Sequence, residues 1–238
     1  MKKILSSLKI LSENIFTKDL SEGGSGNISF LLGENKKNRV YGEIKLPEKL
    51  QNLEEKSFLI TSTGSRFYQI KDEPKKYISL FYVDKKGERV LLLNDKRPSS
   101  EILTHLAIYD SLFKVGSDVR CVLHLHSRYS LVLASFLKKK NFNLNLRKTH
   151  TEFEIIFKKE IEIVERLKPG SLELAKELGK KSILSDTIIL KDHGIFSYGK
   201  DLFETYDRVE ILESLSKIYL LKSLFYENLL KISSTNLK

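Results

Sequence analysis

The stretch Val119-Arg-Cys-Val-Leu-His-Leu-His-Ser127 places two histidines, His124 and His126, within an apolar run. The apolar residues around them are typical of a buried strand. Side chains alternate across a strand, so two residues that stand two apart point to the same side of it. The two imidazoles are therefore predicted to lie together, which suits two ligands of one metal ion. On this motif alone, a purely structural pair of histidines stays open as an alternative.

A third histidine strengthens the prediction of a metal site. His193 follows a short apolar strand, Asp186–Leu190, and precedes Gly194, where a turn at the edge of a sheet can face a cleft. By itself, a His-Gly pair indicates an ordinary turn. Three histidines with an open fourth position, however, are typical of a catalytic zinc site rather than a closed structural one.

Glu101 is the candidate for moving a proton at this site. It opens a predicted helix directly after Ser99 and Ser100. A carboxylate there also gains roughly 0.3–1 kcal/mol from the helix dipole, which explains it without any function. Next to a metal, a carboxylate can take a proton from the carbon alpha to a carbonyl, or it can act as a fourth ligand. His105, on the same side of the helix, is predicted to lie in the core or behind the ligands and not to bind the metal.

Three polar turns predict a site for an anion. They are Gly23–Asn27, Thr61–Ser65 and the pair Ser99-Ser100. Glycine lets the backbone approach a ligand closely, and backbone amides at a helix N-terminus attract anions. Each turn alone is compatible with an ordinary loop, whereas together they would form a phosphate cradle that needs no arginine.

The order of the predicted elements indicates the fold class. An amphipathic helix is predicted at Lys3–Phe16 and a long final helix at Leu202–Leu230, with short strands, a hairpin and further helices between them. This mixture predicts an α/β protein whose mixed or antiparallel sheet carries helices on its faces. A length of 238 residues, 41% of them hydrophobic, fits a single domain over residues 1–238.

Composition argues against several other classes of protein. The single cysteine, Cys121, excludes an internal disulfide and a zinc site built from several cysteines. The net charge of +10 is spread among acidic residues, which argues against a nucleic-acid-binding protein and for a lysine-rich surface that attracts anionic substrates. Because the first residues contain no signal-peptide core and no stretch reaches the length of a membrane span, a cytoplasmic protein with no membrane partner is expected.

Five motifs, in this order along most of the chain, resemble the class II aldolase/adducin family. The resemblance implies a three-layer α/β/α domain around a mostly antiparallel sheet, and a homotetramer with active sites between neighbouring subunits. The motifs are Gly23–Ser29, Ile60–Gly64, Pro98–Glu101, Val122–Ser127 and Asp192–Gly199.

The same resemblance implies roles for individual residues. Zinc, or another divalent metal, would be held by His124, His126 and His193, with Glu101 as the adjacent acid/base. This chain has Gly24 where some members carry a threonine, so one phosphate contact is expected to be absent. The residues implied near the substrate phosphate are Asn27, Thr63, Gly64, Ser99 and Ser100.

The activity that the resemblance implies is that of a lyase acting on a small phosphorylated sugar, a ketose 1-phosphate. Aldol-type C–C cleavage through a metal-stabilised enediolate is the leading hypothesis. Epimerases of the family carry aspartate where this chain has Glu101, which argues against an epimerase. The aldolases bring a tyrosine from the neighbouring subunit, but the matching segment Asn141–Lys159 contains none.

Two alternatives stay open. Glu152 is similar to a catalytic glutamate of methylthioribulose-phosphate dehydratases, so the reaction could be elimination of water, although a surface carboxylate in a charged loop is the simpler explanation of this residue. A non-catalytic, adducin-like interaction module is an alternative of another class. The adducin heads resemble the fold without keeping the metal-binding set, so the three histidines and Glu101 argue against it here.

Overall fold

Nine strands form one sheet in the computed structural model, which describes residues 1–34 and 39–235. The strands are β1 (Asn27–Glu34), β2 (Gly42–Lys45), β3 (Lys56–Thr61), β4 (Ile78–Val83), β5 (Arg89–Leu92), β6 (Cys121–Leu125), β7 (Glu162–Val164), β8 (Thr187–Leu190) and β9 (Gly194–Gly199). Across the sheet they follow the order β2-β5-β4-β3-β1-β6-β9-β8-β7. The hairpin predicted from the sequence is confirmed as β4 and β5.

Eight α-helices accompany these strands within the described residues. They are α1 (Lys2–Thr17), α2 (Phe67–Ile70), α3 (Ile102–Lys114), α4 (Arg128–Phe136), α5 (Lys139–Thr149), α6 (Glu152–Ile156), α7 (Leu172–Ser182) and α8 (Leu202–Thr235). The amphipathic first helix and the long last helix are thus confirmed, whereas α2, α5 and α6 were not predicted. Two short 3-10 helices lie at Gln51–Leu53 and Pro74–Tyr77. None of the described helices, α8 included, combines the length and the apolar character that a membrane span requires.

The predicted α/β class is confirmed, but the sheet is mixed. Strand β7 pairs with β8 in parallel, while every other neighbouring pair of the sheet is antiparallel. Helix α7 lies between β7 and β8 in the chain, and such a crossover is what a parallel pair requires. The expectation of a mostly antiparallel sheet did not include this edge pair.

Apolar side chains pack in two clusters, one on each face of the sheet. One cluster joins α1, α2, α4, α5, α6 and α8 to side chains such as Ile28 and Leu123. The other joins α3 and α7 to side chains such as Phe58, Val122 and Phe196. Alternation along β1 and β6 therefore turns Asn27, Ser29 and His124 toward α3, because Ile28, Leu123 and Leu125 occupy the opposite face.

Candidate metal centre and its pocket

Three histidines converge at one end of the central strands. His124 lies in β6 directly opposite Asn27 of β1, His126 follows β6, and His193 lies in the turn between β8 and β9. One nitrogen from each ring lies within 4.8 Å of the others. The structure thus brings together the three predicted ligands from two separate parts of the chain.

Gly194 allows this convergence. A Cβ atom at that position would lie 2.5 Å from Cε1 of His124 and 2.6 Å from the carbonyl oxygen of Leu125, closer than side-chain atoms pack. Asp192 just before the turn adopts a left-handed conformation with φ of 57°, which aspartate tolerates better than most residues. The sequence Asp192-His193-Gly194 therefore makes a turn tight enough for a ring to approach β6.

Hydrogen bonds at Nδ1 fix the orientation of two of the three histidine rings. Nδ1 of His124 donates to the carbonyl oxygen of Ile195 over 3.0 Å, and Nδ1 of His126 donates to Oε1 of Glu22 over 3.3 Å. In the neutral rings the lone pairs then lie on the two Nε2 atoms, which are 3.1 Å apart. Nε2 of His124 also lies 3.0 Å from Oε2 of Glu101.

This donor set fits a divalent cation. Burial, followed by the charges of His126 and His193, lowers the pKa of His124 well below its usual range. Burial likewise lowers the pKa of His193 to about 4, so both rings are neutral near pH 7. The lone pairs of the unprotonated nitrogens repel one another and the Glu101 carboxylate. A cation bound between them would remove this repulsion, because the same lone pairs would coordinate it. Neutral imidazoles are ligands of zinc and of several other divalent transition metals.

The two oxygens of the buried Glu101 carboxylate differ in their hydrogen bonding. It directly precedes α3 and makes no side-chain cap to that helix. Its Oε2 accepts a hydrogen bond from Nδ2 of Asn27 over 3.2 Å, whereas Oε1 has no hydrogen-bond partner and lies 3.5 Å from Nε2 of His193. Burial raises the pKa of Glu101, and the bond from Asn27 partly offsets the increase. A raised pKa makes the carboxyl group easier to protonate, which suits a group that exchanges a proton with a substrate.

A pocket of about 190 Å³ opens beside the histidines. The five residues predicted near a phosphate all line it, together with Glu101, His126 and His193. Apart from Pro169, the remaining lining residues belong to the polar turns predicted from the sequence. The five are Asn27, Thr63, Gly64, Ser99 and Ser100.

Two backbone N–H groups are free donors in this pocket. The Thr63 hydroxyl donates to the carbonyl oxygen of Pro98 over 2.6 Å, and the Asn27 amide is held by Glu101 and His105. In the described part of the chain, by contrast, no hydrogen bond engages the backbone N–H of Gly64 or Ser100. The cradle therefore offers main-chain N–H donors, and the hydroxyl of the lining residue Ser62 also has no hydrogen-bond partner among the described residues.

One predicted catalytic residue is not brought to the pocket. Glu152 begins α6, where its backbone N–H donates to Nδ1 of His150, and it does not line the pocket of its own chain. Two residues near the site were missed. The only sequence feature that points to Glu22 is its position next to the first glycine turn. No sequence feature points to Pro169, because the loop before α7 reaches Ser100 only through the tertiary fold.

Comparisons with known proteins agree with this geometry. The family profile described as "Class II Aldolase and Adducin N-terminal domain" matches residues 9–220. The crystal structure of a sugar-phosphate aldolase from Thermotoga maritima is similar with a TM-score of 0.83 and 32% sequence identity, over 94% of this chain and 97% of that one.

Curated relatives include more than one activity. A rhamnulose-1-phosphate aldolase from Listeria monocytogenes is 25% identical over 220 residues, which cover 87% of this chain and 81% of the relative. A 3-oxo-tetronate 4-phosphate decarboxylase from Haemophilus influenzae is 26% identical over 209 residues, covering 88% of this chain and 83% of the relative. Both names describe the breaking of a carbon–carbon bond in a small phosphorylated compound.

Proposed function

The chain belongs to the class II aldolase and adducin family, and from that premise we propose that it is a metal-dependent lyase that cleaves a small phosphorylated sugar. The observation that carries the proposal is the unpartnered Oε1 of Glu101, which lies beside three converging histidines at one end of a polar pocket. A metal and an acid/base group next to an anion cradle are what cleavage beside a carbonyl requires.

The substrate is proposed to be a ketose 1-phosphate. The pocket volume of about 190 Å³ suits a small molecule. No lysine or arginine is among its lining residues in the described structure, so the phosphate would be held by N–H groups such as those of Gly64 and Ser100. The names of the Thermotoga and Listeria proteins support the same substrate class.

The metal is proposed to be zinc, held by His124, His126 and His193, although these ligands also suit other divalent metals. When bound, it would supply Lewis-acid stabilisation of the negative charge that develops on the substrate oxygens. As the C3–C4 bond breaks, the C4 hydroxyl gives its proton to a base that the neighbouring subunit would supply and C4 becomes an aldehyde, while the electron pair of the bond moves toward the C2 carbonyl. Protonated Glu101 then delivers its proton to C3, which completes dihydroxyacetone phosphate.

A second copy of the chain is proposed to complete the site. Within the described residues, the pocket lining includes no tyrosine, lysine or second carboxylate that could take the proton from the C4 hydroxyl. Large apolar side chains are exposed elsewhere, including Phe136 at 78% and Phe225 at 67% of their surface. Such surfaces favour association, and a homotetramer with sites between subunits is the arrangement we propose for the single domain of residues 1–238.

Elimination of water is the second candidate reaction. It is favoured by the absence of tyrosine in Asn141–Lys159 and by the position of Glu152 at the start of α6, outside its own pocket. A neighbouring subunit would have to bring Glu152 to the substrate. In that case Glu152→Gln would abolish turnover, whereas an aldolase that does not use this residue would keep its rate.

The test is a product assay on protein stripped of metal and reloaded with zinc. A panel of ketose 1-phosphates that differ at C3 and C4 would be screened for dihydroxyacetone phosphate, for loss of water and, with a 3-oxo acid phosphate, for carbon dioxide. Dihydroxyacetone phosphate released by the wild type but not by Glu101→Gln is the expected result. If the fully loaded wild type converts no sugar phosphate, the enzyme proposal fails and the adducin-like module becomes the better hypothesis.

A further inference from the structure

A row of buried polar side chains reaches Glu101 from the side of α3. Oγ of Ser29 lies 2.7 Å from Nδ1 of His105, and Nε2 of the same ring lies 2.5 Å from Oδ1 of Asn27. Asn27 in turn contacts Oε2 of Glu101. At the far end, the hydroxyl of Tyr109 lies 3.2 Å from Oγ of Ser29. His105 has no exposed surface, and the other members of the row are at most 5% exposed.

The positions of the protons in this row follow from the hydrogen bond that the carboxyl group of Glu101 accepts at one end of it. Oε2 accepts a hydrogen bond whether Glu101 is ionised or carries its proton on Oε1, so Asn27 must turn its NH₂ group toward Oε2. Its Oδ1 atom then faces His105, and only Nε2–H of that ring can donate to it. Nδ1 of His105 is left as an acceptor for the hydroxyl of Ser29. From Ser29 through His105 to Asn27, each donor therefore points toward the carboxylate, while the hydroxyl of Tyr109 donates to the carbonyl oxygen of Arg120 over 3.3 Å.

His105 is held in one orientation and one charge state. Burial lowers its pKa to about 3, so the ring is neutral at physiological pH. Its ring centroid lies 6.1 Å from that of Phe196, which itself stacks on His124 at 4.1 Å. A buried polar ring is costly unless its hydrogen bonds are satisfied, and an aliphatic side chain would fill the same space without that requirement.

We propose that His105 is a positioning residue, which holds the Asn27 amide so that it donates to Oε2 of Glu101 and leaves Oε1 to exchange the proton with substrate. The role of Oε1 rests on the proposed function, whereas the direction of the hydrogen bonds does not. His105 touches neither the metal ligands' nitrogens nor the pocket, and it is not among the pocket-lining residues.

The first test needs no substrate. In metal-free protein labelled with ¹⁵N-histidine, NMR at pH 7 is expected to show His105 as the neutral tautomer that carries its proton on Nε2. A proton on Nδ1 would overturn the proposal, because Asn27 would then have to present its oxygen to Glu101. His105→Gln, which lacks the ring signals, assigns the resonance.

The second test compares two replacements at position 105. Glutamine can donate to Asn27 and accept from Ser29 as the ring does, whereas leucine can do neither. We expect His105→Leu to lower kcat by ~10–100-fold with KM changed less than about threefold, and His105→Gln to stay within about threefold of wild type in both. Thr104→Val, a buried neighbour on α3 whose hydroxyl has no partner, is the matched control and should leave both constants unchanged. Equal kcat values for the glutamine and leucine variants would overturn the proposal.

A double-mutant cycle then asks whether His105 acts through Asn27. In an Asn27→Ala background, His105→Leu should cost less than about twofold in kcat, because the link to Glu101 is already absent. Costs that multiply would show that His105 acts by another route and would overturn the proposal. If the loaded wild type turned over no substrate, the proposed function would fail, and the tautomer measurement would still decide the hydrogen-bond arrangement.

Discussion

Oε2 of Glu101 lies 3.0 Å from Nε2 of His124, while Oε1 of the same carboxylate has no hydrogen-bond partner. Oε2 is held beside this proposed metal-ligand nitrogen by the hydrogen bond that it accepts from Asn27, and Oε1 is available to a substrate. The carboxyl group can therefore gain or lose a proton at Oε1 while the hydrogen bond to Oε2 keeps the side chain in its position.

Replacing Glu101 with glutamine should separate chemistry from metal binding. Glutamine keeps the size of the side chain but cannot accept and release a proton, so kcat should fall by about 10²–10⁴-fold. The three histidines are unchanged, and zinc content measured by mass spectrometry should stay near one equivalent per chain. Loss of zinc in parallel with activity would instead make Glu101 a required ligand.

The histidine pair and the polar turns could be predicted because their signals are local. Alternation along β6 places His124 and His126 on one side, and the glycines of the turns mark where the backbone approaches a ligand. The meeting of His193 with this pair depends on β9 pairing with β6, which joins residues about 70 positions apart and follows only from the tertiary fold.

Other features had little local signal. Helix α5 has lysines and asparagines over most of its length, so its apolar periodicity rests on few residues such as Phe142 and Leu146. Its stability comes from packing against α8, a contact that the segment itself does not reveal. The sequence predicts Asn27 beside a phosphate, whereas its contacts with Glu101 and His105 depend on the packing of α3 over β1 in the tertiary fold.

Glu22 should contribute to metal affinity without touching the metal. Its carboxylate accepts the hydrogen bond from Nδ1 of His126, which orients the ring and raises the basicity of Nε2. Glu22→Ala is expected to weaken zinc binding by ~10–100-fold in a competition titration with a fluorescent chelator. Glu43→Ala, at a similarly exposed carboxylate that pairs with Arg89, is the control and should leave the affinity unchanged. Equal affinities for the two variants would contradict this role.

Gly194→Ala should damage the metal centre through crowding. The added methyl group would lie 2.5 Å from Cε1 of His124, and the ring cannot retreat because it stacks on Phe196. We expect about 1–3 kcal/mol of destabilisation in urea unfolding, with weaker zinc binding. Gly42→Ala is the matched control, because its methyl group would only contact Leu92 at an ordinary 3.6 Å. Wild-type zinc affinity in Gly194→Ala would show that the rings adapt to the methyl group.

His105 should make the metal-free protein less stable as the pH falls. Burial lowers its pKa from 6.5 to about 3, so the folded protein resists a proton that the unfolded chain accepts. Its contribution to stability is therefore complete above pH 6.5 and is lost progressively as the pH falls toward 3. Between pH 8 and pH 5 this residue alone should lower the free energy of unfolding by about 2 kcal/mol. Because His105→Gln has no titrating group at this position, urea unfolding in the presence of a chelator should show a pH-dependent loss smaller by that amount. The other histidines titrate equally in both proteins, so identical losses would mean that His105 is protonated in the folded state as readily as in the unfolded chain.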